Sequence, residues 1–293
     1  MRTQANFQIE IPGNLRSAQK RESSERIMMS NHVAMITGAS SGIGADLARE
    51  LATTGYDLLL IARREEKLKT LAGELLQRNP GRRVYVLKSD LSSPAAADKI
   101  LHFIHKNRLD IEILINNAAA ALQHEFHTVP FEQWHEQIQL NILSFSELTH
   151  KIIPLLLKRS SGHIVNIASA GAFQPLPWYA LYGACKAYML SLSAALHREL
   201  KPYNIHVTCI CPGAVSTDFN RNAGIEETIG PSFAWMTPDR VAKLSLRAMK
   251  KKKSVYIPGW FNKINIFAER FLPRQLVTRL AGSLYEPKIT EKK

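Results

Sequence analysis

Seven short apolar runs alternating with six longer amphipathic stretches constrain this 293-residue chain more than any other feature. The runs occupy 32–37, 57–62, 83–88, 112–116, 163–169, 205–210 and 254–257. The stretches occupy 42–54, 64–78, 94–107, 131–157, 178–201 and 238–250. Continuous Val/Ile/Leu segments bounded by Gly, Asn, Asp or Pro suit strands buried on both faces, which need crossover helices between them. The pattern predicts an α/β fold, a doubly wound, Rossmann-type sheet of seven parallel strands forming a single domain over 32–257. Residues 1–31 are polar and aperiodic and read as a flexible extension, with Met28 or Met29 as the expected native start. Residues 258–293 read as a basic amphipathic C-terminal extension.

Composition narrows the class. At 45% hydrophobic and 22% charged residues the chain is near globular averages, which excludes disorder and collagen. Cys185, Cys209 and Cys211 cannot build a disulfide framework and have no partners at zinc spacing, so a reduced, cytoplasmic compartment is expected. No apolar stretch approaches the ~20 residues of a membrane span, and the start of the chain lacks the apolar centre of a signal peptide. The net charge of +13 is uneven: 28–239 carry nineteen cations and nineteen acids, whereas 240–293 carry fourteen cations against three acids. A neutral body with a basic tail argues against nucleic acid as a partner. Anionic lipid, an acidic carrier protein or simple solvation of the tail each accounts for it.

The first run leads directly into Thr37-Gly38-Ala39-Ser40-Ser41-Gly42-Ile43-Gly44 and then a helix. Glycines there allow a tight turn and close approach of backbone to a pyrophosphate, and the helix start offers free N–H groups to the anion. The second run ends in Ala62-Arg63-Arg64, where an NAD-selective site usually carries a carboxylate for the ribose hydroxyls. Guanidinium groups instead suit a phosphate, so NADP(H) is favoured over NAD(H).

Tyr182 and Lys186 lie four apart in a predicted helix, on one face. A neighbouring ammonium is expected to lower the phenol's pKa and fit it for exchanging a proton with an alcohol oxygen. Tyr179, whose i+4 residue is Gly183, lacks that partner. Ser169, at the end of the fifth run, falls where ligands of open α/β sheets gather and suits a hydrogen bond to a substrate oxygen. Its surroundings, Ala168-Ser169-Ala170, are not those of a hydrolase nucleophile.

Taken in order, the glycine turn, Asn116-Asn117-Ala118-Ala119, Asn141, Ser169, Tyr182, Lys186 and Pro212-Gly213 resemble the short-chain dehydrogenase/reductase family over 32–257. The resemblance implies Tyr182 as acid/base, Lys186 as its pKa-lowering partner and a ligand of the nicotinamide ribose, and Ser169 as the residue that orients the carbonyl. It implies that Asn141 holds a water on a proton path from Lys186. Cofactor contacts would come from Gly38, Ser40, Ser41, Gly42, Ile43 and Gly44, and from Arg63 and Arg64. Asp90 would meet the adenine, Asn117 would lie beside the cofactor, and Leu91 and Ala118 would be further cofactor contacts. Pro212 and Gly213 would border the nicotinamide, and Thr217 would reach its carboxamide. Two departures stand out: Ala119 replaces the usual glycine, and Ser41 stands where some NADP-using members have a basic residue.

Loop 170–181, with Phe173, Leu176, Pro177 and Trp178, and segment 214–236, with Phe219, Phe233, Trp235 and Met236, are expected to enclose the substrate. Arg221 is their only cation, so an apolar ketone, aldehyde or acyl derivative is favoured. In the tail, Trp260, Ile264, Phe267 and Phe271 form one apolar helical stripe, continued by Leu276, Leu280 and Leu284. Packing on the domain or a sister subunit is one reading; the other is a basic amphipathic helix that touches an anionic membrane or covers an apolar substrate entrance. The pairs His102/His105 and His124/His127 suggest a metal, but hydride transfer requires none and no metal site is assigned. The expected function is NADP(H)-dependent transfer of hydride to or from an apolar carbonyl compound by a homo-dimer or tetramer. Reduction of 3-oxoacyl thioesters on CoA or an acyl carrier protein is the alternative, and cofactor sensing without turnover is a third.

Overall fold

The computed structural model describes residues 32–219 and 234–286. The expected extension 1–31, with Met28 and Met29, lies outside them, as do Arg221 and Phe233 of the expected substrate loop. Within them the apolar runs become seven strands: β1 His32–Thr37, β2 Asp57–Ala62, β3 Val84–Lys88, β4 Asp110–Asn116, β5 Gly162–Ile167, β6 Ile205–Ile210 and β7 Val255–Tyr256. All pairings are parallel and the strand order is 3-2-1-4-5-6-7. The chain winds outward in one direction through β3 and then returns to pair β4 with β1. That reversal opens a crevice beyond the carboxyl ends of β1 and β4, where open α/β sheets bind ligands.

Helices α1 (Gly42–Thr53), α2 (Glu65–Arg78) and α7 (Pro238–Lys250) cover one face, and α3 (Ala96–Lys106), α5 (Phe145–Arg159) and α6 (Ala180–Leu200) the other. Strand alternation divides the core between them. Ala34, Ile36, Leu58 and Leu60 point to one layer, whereas Val33, Met35, Leu59 and Ile61 point to the opposite one. Removing a side chain such as Leu59, fully buried between layers, is worth about 2–5 kcal/mol.

The stretch expected as one helix over 131–157 has three parts: α4 (Phe131–Ile138), a π-helical segment Gln139–Ser144, and α5. One residue more per turn breaks the 3.6-residue repeat without breaking the helix, so periodicity alone does not register it. Buried polar groups tie α5 and α6 to the sheet. Asn116 Nδ2 donates to Thr149 Oγ1 at 3.0 Å and to Asn166 Oδ1 at 2.9 Å, and Asn166 Nδ2 donates to Ser193 Oγ at 2.8 Å. After β7 the chain forms α8 (Trp260–Glu269) and α9 (Arg274–Tyr285). No described helix is long and apolar enough to cross a membrane.

Candidate active site

The glycine turn between β1 and α1 is closed by neighbours that leave no room for side chains. Gly38 holds φ +65°, and a Cβ there would lie 2.9 Å from Ala118 Cα. At Gly44 a Cβ would lie 2.4 Å from the Gly38 carbonyl oxygen, so α1 starts in direct backbone contact with the turn. Asn117 fixes the arrangement, its Nδ2 donating to the carbonyl oxygens of Thr37 at 3.0 Å and Gly38 at 3.2 Å. The Thr37 hydroxyl in turn accepts from the N–H groups of Asn117 and Ala118. The cradle faces the first-turn N–H groups of α1, which have no partners within the helix. These features fit the pyrophosphate of a dinucleotide, which needs donors and close backbone approach rather than side chains.

Arg64 leans across this turn. Its Nη2 donates to Ser40 Oγ at 3.0 Å and Ser41 Oγ at 2.6 Å, and Nη1 lies 3.7 Å from Asp218 Oδ2. Lys67 reaches the same Asp218 carboxylate at 3.6 Å. One guanidinium and two hydroxyls thus stand together at the carboxyl end of β2. Asp90 accepts the Ser92 N–H at 3.0 Å and hydroxyl at 2.7 Å. Burial works to raise its pKa, but these bonds and the charge of Arg63 hold the carboxyl below its ordinary value.

Tyr182 and Lys186 stand in the first two turns of α6, on the face turned toward β5. Lys186 is 2% exposed, donates to the Ile167 carbonyl oxygen at 2.8 Å, and has its Nζ 5.7 Å from the Tyr182 ring centroid. The expected lowering of the phenol's pKa is not found. Burial beside Tyr179, Phe219 and Tyr285 pushes Tyr182 up to about 12, and a hydrogen bond with Ser169 offsets only part of this. Burial moves Lys186 the other way, lowering its pKa to about 8, with the three cysteine thiols opposing. The phenol is therefore protonated at neutral pH.

Ser169 lies two residues beyond the end of β5 rather than within it. It caps a short 3₁₀ turn, Ala170–Ala172, its Oγ accepting the Gly171 N–H at 3.1 Å. Asn141, in the π segment, grips Ala120 with its amide: Nδ2 donates to the Ala120 carbonyl oxygen at 2.7 Å and Oδ1 accepts the Ala120 N–H at 3.1 Å. It thereby anchors the loop after β4. Tyr179 is buried and donates to Gln123 Oε1 at 3.0 Å; burial raises its pKa strongly.

A cavity of about 780 Å³ joins these parts. Gly38, Ser40, Ser41, Gly42 and Ile43 line the end at the glycine turn together with Arg63 and Arg64. Asp90, Leu91, Asn117 and Ala118 lie along it, and Ser169, Tyr182, Lys186, Pro212, Gly213 and Thr217 line the other end. Gly44 and Asn141 lie behind the wall. Of the expected substrate aromatics, Phe219 and Trp235 reach the cavity, as does Leu176. Phe173 packs instead with Phe145 and Met189, Met236 with Val215 and Val241, and Pro177 and Trp178 rest against Gly282.

The tail supplies part of the cavity wall, in line with the reading that it covers a substrate entrance. Phe261, Asn262, Ile266, Glu269, Val277 and Tyr285 all face the cavity. Asn262 packs on Gly213 so closely that a Cβ there would lie 2.4 Å from its Nδ2. The stripe of Trp260, Ile264, Phe267 and Phe271 is turned outward, so its expected packing on the domain is not found.

A family model described as short chain dehydrogenase matches residues 32–228. The chain belongs to the short-chain dehydrogenase family, whose members are oxidoreductases that bind a nicotinamide cofactor and a small-molecule substrate. A very-long-chain 3-oxoacyl-CoA reductase-like protein of Arabidopsis thaliana is 33% identical, over 83% of this chain and 78% of its own. A short-chain dehydrogenase from Sphingobium yanoikuyae in complex with NADPH superposes with a TM-score of 0.73 at 32% identity, covering 82% of this chain and 94% of its own. A 3-ketoacyl-(acyl-carrier-protein) reductase from Brucella melitensis, complexed with NADH, gives 0.69 at 26% identity, covering 78% and 96%.

Proposed function

We propose that this oxidoreductase uses NADP(H) to interconvert an apolar ketone or aldehyde and its alcohol, with Tyr182 as general acid/base. One observation carries the reading: a single cavity has the glycine cradle and Arg64 at one end and Ser169, Tyr182 and Lys186 at the other. The nicotinamide ring, when bound, supplies or accepts the hydride. Ser169 directs the substrate oxygen toward the phenol, which donates its proton as the carbonyl becomes an alkoxide. Lys186 stabilises the resulting phenolate by its charge and holds the nicotinamide ribose. Asn141 positions the loop after β4 and would hold a water on the path that resupplies the Tyr182 proton by way of Lys186.

Arg64, with Ser40 and Ser41, would hold the 2′-phosphate that distinguishes NADP from NAD, with Arg63 alongside. Asp90 and Leu91 would border the adenine, Asn117 and Ala118 the adjoining ribose, and Pro212, Gly213 and Thr217 the nicotinamide. The apolar wall of Leu176, Phe219, Trp235, Ile266 and Val277 favours a lipophilic substrate. A screen of NADPH consumption over aldehydes, ketones, quinones and oxoacyl thioesters tests this, with Tyr182→Phe as the blank. Turnover retained in that variant, or a clear preference for NADH, overturns it.

Reduction of a 3-oxoacyl thioester is the second reading. The name of the Arabidopsis relative and the basic tail, fit to meet an acidic acyl carrier or CoA, favour it. Activity on thioesters but not on free ketones would select it. We further propose a cytoplasmic dimer or tetramer formed through α4–α5 and α6, where Leu143 and Tyr188 are exposed.

A further inference from the structure

Helices α8 and α9 are apolar on two sides, and the domain uses only one. Ile266, Val277 and Ala281 are buried on the inward side, against the cavity. The outward side of α8 and the turn after it carries Trp260, Ile264, Phe267 and Phe271. Leu276, Leu280 and Leu284 continue it along α9, and all seven side chains are 39–73% exposed. Singly exposed apolar residues are ordinary, but a file of them along two successive helices marks an interaction surface.

Charge decides what that surface meets. Lys263, Arg270, Arg274 and Arg279 stand exposed among the rings and leucines, and Lys250, Lys251, Lys252 and Lys253 are exposed just before β7. The carboxylates between 259 and 286 are Glu269, which faces the cavity, and Glu286. A cation-flanked apolar face is the arrangement of helices that lie in a bilayer interface, and each cation near an anionic surface strengthens partitioning about fivefold. An acidic protein partner would meet the cations but leave the four aromatic and aliphatic side chains of α8 and the turn after it in water. Leu272, Leu280 and Leu284 are exposed and also line the cavity, so the outer file continues into its wall.

We propose that the α8–α9 face docks on an anionic phospholipid bilayer, rings and leucines at the acyl boundary and cations at the lipid phosphates. The same face then lets an apolar substrate pass from the bilayer into the cavity, a route that rests on the enzymatic reading above. Docking itself needs no turnover.

The test is sedimentation of the full chain with phosphatidylcholine vesicles, with and without phosphatidylserine. Trp260→Ser/Phe267→Ser/Phe271→Ser and Arg270→Glu/Arg274→Glu are run beside the wild type, their folding checked by Tm. The expected result is partitioning about tenfold or more stronger on the anionic vesicles, lost in both variants. NADPH affinity and turnover of a water-soluble aldehyde stay at wild-type levels in both, which separates failure of docking from failure of the enzymatic reading. Equal partitioning on the two vesicle types overturns the proposal, as does partitioning unchanged by the substitutions. So does vesicle-free self-association that the ring variant abolishes, because the stripe is then a contact between copies of this chain.

Discussion

The ammonium of Lys186 lies 5.7 Å from the centre of the Tyr182 ring and donates its hydrogen bond to the Ile167 carbonyl oxygen. Each keeps its own proton at neutral pH, burial raising the phenol's pKa and lowering that of the ammonium. In the proposed mechanism the phenolic proton is the one transferred, and the ammonium stabilises what remains. Tyr182→Phe should lower kcat ~10³-fold. The Kd for NADPH, read by fluorescence titration, should stay within about threefold, because the ring and its packing are retained.

Burying the Lys186 ammonium costs stability. Its folded pKa, about 8, is below its ordinary value of 10.5. The unfolded chain therefore binds the extra proton across that interval, and the cost is full below pH 8 and fades as pH rises to 10.5. The Tm difference between wild type and Lys186→Met should move in favour of the wild type over this interval. Differential scanning calorimetry at pH 7, 9 and 10.5 checks it; a difference flat with pH would contradict the burial argument.

Arg64 joins Ser40 and Ser41 at 2.6–3.2 Å and is poised for a phosphate. Arg64→Ala should raise the KM for NADPH ~10–100-fold, the loss of a charge-assisted contact. The KM for NADH should change by about twofold at most. Steady-state kinetics with both coenzymes distinguish this from general damage to the turn.

Gly44→Ala places a methyl group 2.4 Å from the Gly38 carbonyl oxygen, a backbone atom that cannot swing aside. The substitution should destabilise the fold by about 1–3 kcal/mol. NADPH binding should weaken along with it, since α1 must move away from the turn. Thermal melts and cofactor titration of the same preparation measure both.

The sheet was legible because every strand but the edge ones is buried on both sides, leaving continuous apolar runs that only crossover helices can connect. The glycine turn and the Tyr182–Lys186 pair were legible because their meaning lies in spacing along the chain. Other features depend on residues distant in sequence. Tyr182's raised pKa comes from packing by Tyr179, Phe219 and Tyr285, which no local pattern reports. The π segment at Gln139–Ser144 hides inside an acceptable helical stretch. The tail misled for another reason: α8 has an apolar stripe on either side, and periodicity finds the stronger one without saying which meets the domain. Asn262, which packs on Gly213, had no signal at all beyond being polar beside Gly259 and Trp260.

The cavity wall built from α8 and α9 has a consequence for biogenesis. Synthesis runs from the amino end, so α8 and α9 emerge after the rest of the cavity lining. The nucleotide cradle and the Tyr182 helix are complete well before residues 260–285 appear. The substrate chamber is therefore walled only once α8 and α9 are in place.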